Sequence, residues 1–258
     1  MSGRLAVVGL GPGDPRWLTP EAEAALGSAA ALYGYGPYLD RIPQRSGQVR
    51  HASDNREEGA RAAAALRHAA GGAEVAVVSG GDPGVFAMAA AVCAEIETGP
   101  PEWRDIELAV IPGITAMLAV AAQVGAPLGH DFCALSLSDN LKPWEAIERR
   151  LDAAAGAGFV IALYNPVSRA RPWQLAAAFE RLGRHLPATA PVIFGRAVGR
   201  IGERIAVTRL SAARETAAEI GADMATLVIV GSPETRVIER AGRRPLVYTA
   251  RAAAGANL

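Results

Sequence analysis

Apolar residues in this chain fall into short unbroken runs, each ending on a glycine- or proline-rich turn. Residues 5–9, 31–33, 75–79 and 106–111 read as strands in the first half; in the second, 132–138 alternates and reads as a strand, and 159–164, 192–195, 204–209 and 226–230 read as further strands. Uninterrupted runs of this length predict strands covered on both faces, and the stretches between them predict crossover helices. Thr19-Pro20-Glu21 reads as a cap, a first-turn proline and an acid at the positive end of a helix. Asp54 or Asn55 is expected to cap a helix that stops at Gly71-Gly72; the next helix is expected over 84–97, and another over 115–124. In the second half, Asn140 is expected to cap a helix running to Gly156, Ser168 one running to residue 186, and a last helix covers 211–220. The chain after Arg243 reads as loosely ordered. The fold class predicted is two α/β domains, 1–124 and 125–248, with a flexible tail over 249–258.

Three of the turns stand out. Gly9-Leu-Gly-Pro-Gly-Asp14, Ser79-Gly-Gly-Asp-Pro83 and Pro112-Gly-Ile-Thr-Ala116 each follow directly on a strand. Ligands of open parallel sheets bind beyond the carboxyl ends of strands, so if these strands are parallel neighbours the three turns gather at one edge. Adjacent glycines expose backbone N–H and C=O groups there. Asp82 has two local readings, a cap for the following helix and a ligand for whatever the turns hold.

Composition narrows the chemistry by exclusion. Lys+Arg and Asp+Glu balance at 26 each, which leaves no basic stripe for nucleic acid. Lys142 is the only lysine; the wealth of arginine reads as base composition or as grips for carboxylate and phosphate. Cys93 and Cys133 read as small core residues, with no disulfide framework and no metal spacing. Gly9-x-Gly11-x-Gly13 has the wrong spacing for a dinucleotide loop, and neither a phosphate-binding P-loop nor a nucleophile elbow is present. His51, His68, His130 and His185 are scattered. No apolar run approaches the ~18 residues of a membrane span and the N-terminus lacks a signal-like apolar stretch, so a soluble cytoplasmic protein without membrane or nucleic-acid partners is expected. Backbone-rich turns with one acid, no metal and no nucleophile suit the orientation of a preactivated donor.

The three turn motifs, in this order and spacing, resemble those of the S-adenosylmethionine-dependent tetrapyrrole methyltransferases. In the second half, Gly129-His-Asp-Phe-Cys-Ala-Leu-Ser-Leu-Ser-Asp-Asn-Leu-Lys-Pro-Trp144, Ala162-Leu-Tyr-Asn-Pro166 with Arg171-Pro-Trp173, Gly195-Arg-Ala-Val198 and Gly231-Ser-Pro-Glu-Thr235 resemble the branch of that family that methylates C17 of precorrin-3B in cobalamin biosynthesis. The resemblance spans about residues 3–248. The chain departs from many relatives in carrying Ser79-Gly-Gly-Asp-Pro83 where they have Ser-Ser-Gly-Asp-Ala.

The resemblance implies a donor cleft between two α/β domains, a homodimer, and methyl transfer coupled to ring contraction, giving precorrin-4. It implies S-adenosylmethionine contacts at Pro12, Gly80, Gly81, Asp82, Val85, Thr115, Ala116, Tyr164 and Asn165, and an adenine pocket near Ala197, Thr226 and Leu227. It assigns Asp82 to binding rather than proton transfer, and no metal is implied. Ring contraction requires a group that moves a proton, for which Asp139, Lys142, Tyr35, His130 and Arg196 are candidates. Arg169, Arg171 and Arg196 are candidates for the substrate carboxylates. A sibling enzyme acting on another corrin intermediate, cobalt-bearing ones included, and a non-catalytic sensor of the donor fit the same residues; a nicotinamide-dependent oxidoreductase fits the loop spacing poorly.

Overall fold

A computed structural model describes residues 3–54 and 56–252. The chain divides into two compact units, residues 1–115 and 116–258. The passage between them at Thr115–Ala116 falls inside the third turn motif, so the helix after that motif belongs to the second unit rather than the first.

The first unit contains β1 (Arg4–Gly9), α1 (Pro20–Ser28), β2 (Ala31–Tyr35), α2 (Gly36–Leu39), β3 (Val49–Ser53), α3 (Glu58–Ala70), β4 (Glu74–Ser79), α4 (Met88–Thr98) and β5 (Glu107–Ile111). Its five strands form one sheet in the order β3-β2-β4-β1-β5, every pair parallel. The pleat sorts its side chains between two cores. Leu5, Val7, Val75 and Val77 pack with Ala62, Leu66 and Val92 from α3 and α4, while Ala6, Val8, Ala76 and Val78 pack with Ala22, Leu26 and Leu39 from α1 and α2. Burial on both faces is why these strands read as continuous apolar runs.

The second unit contains α5 (Ala116–Val124), β6 (Gly125–Ala126), β7 (Phe132–Ser136), α6 (Trp144–Gly156), β8 (Val160–Tyr164), α7 (Gln174–Leu182), β9 (Pro191–Arg196), β10 (Arg204–Arg209), α8 (Ala213–Ile220), β11 (Thr226–Val230), β12 (Thr235–Arg240) and β13 (Arg243–Thr249). Its main sheet, β10-β9-β11-β8-β7, is mixed: β7 and β8 are parallel, and β11 runs antiparallel to both β8 and β9. One core lies where Ile161, Leu163, Phe194 and Val228 meet Ile147, Leu151, Phe179 and Leu182 of α6 and α7.

Several expectations need correction. The Thr19 cap is present, its Oγ1 accepting the Ala22 N–H at 3.1 Å. Four other helices begin later than their capping-type residues suggested. α3 starts at Glu58 without a side-chain cap from Asp54 (Asn55 lies outside the described residues), and α4 starts at Met88, not 84. α6 starts at Trp144 and not after Asn140, and α7 at Gln174 and not after Ser168. In two cases the polar residue is engaged within its own loop: Asp82 accepts the Gly84 N–H at 2.8 Å, and Ser168 forms a backbone bridge with Arg171. The segment after Arg243 is not loose. It forms β13, paired with β12 and β6, and the Thr249 Oγ1 donates to the Pro127 carbonyl at 2.6 Å. Within the expected tail 249–258, Thr249 therefore closes a strand, and 253–258 lie outside the described residues. Cys93 is exposed on α4 rather than in the core; Cys133 is half-buried, which pushes its thiol pKa up.

α6 and α7 are joined by a charged cluster. Arg181 Nε donates to both carboxylate oxygens of Asp152, at 2.8 and 2.9 Å, and His185 Nε2 lies 2.9 Å from Asp152 Oδ1. The Arg181 hydrogen bonds hold the Asp152 carboxyl at about 2, against 3.8 unperturbed, with partial burial opposing them and His185 assisting. A depressed folded-state pKa gives stability that is fully present above the unfolded value and is lost as pH falls through the folded one. Urea unfolding should therefore show Asp152→Asn less stable than the parent at pH 7, with the gap shrinking steadily as pH drops from 3.8 toward about 2; a gap independent of pH would refute this.

Candidate functional site

Because β1 lies between β4 and β5 and all three are parallel, their carboxyl ends bring the three turns side by side. Gly11 and Gly81 exchange backbone hydrogen bonds, N–H to O, at 3.1 and 2.9 Å, and the Leu10 N–H donates to the Ser79 carbonyl at 2.8 Å. A Cβ on Gly113 would lie 2.3 Å from the Gly81 oxygen and 3.0 Å from the Gly9 carbonyl carbon. Backbone occupies that space, so no side chain fits at the centre of the cluster. Gly81 also has φ 69°, a left-handed conformation glycine adopts freely.

Asp82 fastens this arrangement. Its Oδ1 accepts the Gly84 N–H at 2.8 Å within the second turn, and its Oδ2 accepts the Gly113 N–H at 3.0 Å from the third. It is therefore not a helix cap. It bridges two turns, and each carboxylate oxygen keeps a lone pair for a ligand ammonium or hydroxyl. Pro12 is buried, and Gly80, Gly81 and Val85 are half-buried. Thr115 is buried and Ala116 opens α5.

The second unit gathers its own set. β7, β8 and β9 end at one edge of the mixed sheet, and antiparallel β11 begins there. Tyr164, Asn165, Ala197, Thr226 and Leu227, singled out from three separate stretches of sequence, thus share an edge. The Tyr164 Oη accepts the Met117 N–H of the first turn of α5 at 3.1 Å, and Asn165 Nδ2 donates to Ser136 Oγ at 2.9 Å. The Ala197 N–H donates to the Ala225 carbonyl at 2.9 Å, and Thr226 Oγ1 accepts the Asp223 N–H at 3.0 Å. Among the described residues, the non-glycine residues with positive φ are Phe86 (53°), Asn165 (52°) and Ala197 (50°). Asn165 and Ala197 directly follow the carboxyl ends of β8 and β9, and Phe86 lies in the loop between β4 and α4. Such conformations cost on the order of 1–3 kcal/mol and concentrate at ligand sites. Asn165 and Ala197 are among the donor contacts that the resemblance implies; Phe86, exposed beside Val85, carried no sequence signal.

The proton-transfer candidates separate. Asp139 is ion-paired with Arg171, which joins the loop after β7 to the loop after β8. The Arg171 hydrogen bond lowers the Asp139 carboxyl pKa, so it remains an anion and a weak base. Lys142 lies in the same loop, its Nζ donating to the Ser138 carbonyl at 3.2 Å. Burial, then the charge of Arg150, pulls its pKa below the usual lysine range, with Asp139 opposing. Tyr35 ends β2 in the first unit, its ring edge-on to Tyr38 at 5.4 Å. His130 precedes β7, at the opposite end of that strand from the loop holding Asp139 and Lys142; its Nδ1 accepts the Asp131 N–H at 2.7 Å. Arg196 is held by the Gly221 carbonyl at 3.0 Å and Asp223 Oδ2 at 2.7 Å, and cannot deprotonate. Of the arginines that were candidates for the substrate carboxylates, Arg171 and Arg196 are thus already paired, whereas Arg169 is exposed. Among the described residues no cluster of three or more His, Cys, Asp or Glu side chains is placed to hold a metal ion.

Known proteins with this arrangement were found by three comparisons. Residues 4–214 match the family model described as tetrapyrrole (corrin/porphyrin) methylases. A precorrin-3B C(17)-methyltransferase from a Sinorhizobium species is 63% identical over 257 residues, covering 100% of both chains. A probable cobalt-factor III C(17)-methyltransferase from Salmonella typhimurium is 40% identical, over 95% of this chain and 99% of its own. The solved structure of the methyltransferase CobJ superposes with a TM-score of 0.89 at 48% identity, over 96% of this chain and 100% of that one. The turns at the sheet edge, the match over most of the chain and the full-length relatives agree: this chain belongs to the tetrapyrrole (corrin/porphyrin) methylase family.

Proposed function

We propose that this protein transfers a methyl group from S-adenosylmethionine to C17 of precorrin-3B and contracts the macrocycle, releasing precorrin-4 in cobalamin biosynthesis. The observation that carries this reading is the 63% identity, without truncation of either chain, to a precorrin-3B C(17)-methyltransferase. We further take it to act as a cytoplasmic homodimer; no helix among the described residues is long and apolar enough to cross a membrane. The 40% identity to a probable cobalt-factor III enzyme supports a second reading, in which the acceptor carries cobalt.

The chemistry suits the site. A sulfonium donor already carries its leaving group, so transfer needs in-line placement of methyl and acceptor carbon more than proton transfer. Backbone amides and the Asp82 carboxylate at the first-unit edge supply placement: Asp82 complements the donor's ammonium or ribose hydroxyls while holding two turns together. Gly80, Gly81, Val85, Pro12 and Thr115 complete that wall. Within the second unit, Tyr164, Asn165, Ala197, Thr226 and Leu227 are the proposed donor contacts, with adenine met by backbone groups and small apolar side chains.

Ring contraction is the step that requires a base. Of the candidates, Asp139 is stabilised as an anion by Arg171, and Arg196 cannot lose its proton. Lys142, whose pKa burial lowers, is the candidate at the carboxyl end of β7 that can lose a proton to become a base. Arg169 at the surface, with Arg171 beside it, suits the substrate carboxylates.

Purified protein given precorrin-3B and methyl-labelled S-adenosylmethionine should yield a labelled, ring-contracted product; label appearing only with the cobalt-bearing acceptor would transfer the assignment to the second reading. Asp82→Asn should weaken binding of S-adenosylhomocysteine by roughly tenfold, by isothermal calorimetry, because one of the two bridged N–H groups loses its acceptor. Unchanged affinity with lost turnover would instead make Asp82 a participant in the reaction. Lys142→Met should lower formation of contracted product by about 100-fold or more while leaving donor affinity intact, in line with removal of a general base; near-parental turnover would eliminate Lys142.

A further inference from the structure

The structure assigns a positioning role in the donor site to Arg41, a residue outside every motif of the sequence. The inference rests on the donor reading above and goes beyond it. Arg41 lies just past α2, and one terminal nitrogen of its guanidinium donates to two carbonyls of the first turn, Leu10 at 2.9 Å and Gly11 at 3.1 Å. Gly11 is the residue that pairs with Gly81, so the arginine holds the turn at the point where it meets its neighbour.

The same segment touches the second turn directly. A Cβ on Gly80 would lie 2.7 Å from Tyr38 Cζ and 2.9 Å from its hydroxyl oxygen, so the phenol ring packs on the Gly80 backbone. Tyr38 and Arg41 thus place one short stretch of chain against two of the three turns. That stretch is itself anchored. Arg50 of β3 donates to the carbonyls of Leu39 at 3.0 Å, Ile42 at 2.9 Å and Pro43 at 2.7 Å. Leu39 is buried against Val78 and Ile111 in the core beneath.

A chain of contacts therefore runs from Arg50 to the segment 39–43, from Arg41 to the first turn, from Gly11 to Gly81, and from Asp82 to Gly113 of the third. Turns lined by backbone groups have no side chains with which to adjust to a ligand. Their complementarity depends on how accurately the peptide planes are held. Two hydrogen bonds from a permanently charged guanidinium orient the planes at Leu10 and Gly11, and the Gly11–Gly81 pairing passes that orientation to the second turn. Arg41 touches no reacting atom. Its expected effect is on donor affinity.

The test is isothermal calorimetry with S-adenosylhomocysteine on the full chain and on Arg41→Ala, Arg41→Gln and Arg41→Lys, with melting temperature and KM for both substrates measured in parallel. Leu66→Val, a core change on α3 in the same unit, serves as a variant that loses stability without touching the turns. The expected result is a rise in the donor dissociation constant of roughly tenfold to a hundredfold for Arg41→Ala and Arg41→Gln, with partial recovery in Arg41→Lys. KM for S-adenosylmethionine should rise with it, KM for the tetrapyrrole should stay near the parental value, and Leu66→Val should melt lower with unaltered donor affinity. An unchanged dissociation constant in folded Arg41→Gln overturns the inference, as does a comparable loss of affinity in Leu66→Val. Failure of the parent protein itself to bind S-adenosylhomocysteine would overturn the donor reading, and this inference with it.

Discussion

The close approach of three peptide turns at the carboxyl ends of β4, β1 and β5 constrains everything else in the site. Gly9, Gly81 and Gly113 meet with so little room that a Cβ on Gly113 would fall 2.3 Å from a carbonyl oxygen. The strand order makes this contact possible, since it places the middle turn between two parallel neighbours. Once the centre is pure backbone, recognition must use N–H and C=O groups and the few carboxylates that can reach them. Asp82 is one such group, and its two hydrogen bonds make it part of the scaffold as well as the proposed donor contact. A ligand held in this way is selected by shape and by the position of its charges, which suits a donor whose reactivity is already built in.

The second unit reaches a similar end by another topology. Its sheet is mixed, yet reversing β11 relative to β8 and β9 places the amino end of β11 beside their carboxyl ends. Thr226 can then share an edge with Asn165 and Ala197 although one begins a strand and the others follow one. The left-handed conformations of Asn165 and Ala197 are the local cost of turning the chain sharply at that edge. Neither residue is glycine, so the conformation is imposed by surrounding contacts, among them the Asn165–Ser136 hydrogen bond and the Ala197–Ala225 backbone bond.

Strands and turns were far more legible in the sequence than helix starts, for a physical reason. Buried strands leave short apolar stretches, and nine of the ten main-sheet strands coincide with a stretch read as a strand, β3 being the exception. Helix starts were expected at Asp54 or Asn55, Gly84, Asn140 and Ser168, and α3, α4, α6 and α7 each begin several residues later. All four follow the carboxyl ends of strands, where loops hold Asp, Ser and Gly for turn geometry and for the site. Those residues have capping chemistry and spend it elsewhere, as Asp82 does on Gly113. The Thr19 cap, at the end of a turn whose acid, Asp14, is already engaged by Arg16, was read correctly. The β12–β13 hairpin was missed because arginines crowd its exposed face and obscure the alternation of Thr235, Val237, Val247 and Thr249 toward the interior.

Arginine usage then changes how the catalytic question is framed. All but one of the 26 basic residues are arginine, which from sequence reads as base composition or as anion grips. The structure adds a third use, the bracing of backbone carbonyls. Arg41 spans Leu10 and Gly11, Arg50 spans Leu39, Ile42 and Pro43, and buried Arg61 donates to the Asp54 carbonyl. A planar fork of permanent donors serves this purpose well and proton transfer not at all. In such a chain a cation that can become neutral is rare. Lys142 is the single lysine, it sits in the loop that Arg171 ties down through Asp139, and burial favours its uncharged form. The same preference that fills the scaffold with fixed charges therefore isolates the one side-chain amine able to give up a proton, and the loop that holds it follows β7 at the edge of the second sheet where the residues proposed for the donor also lie.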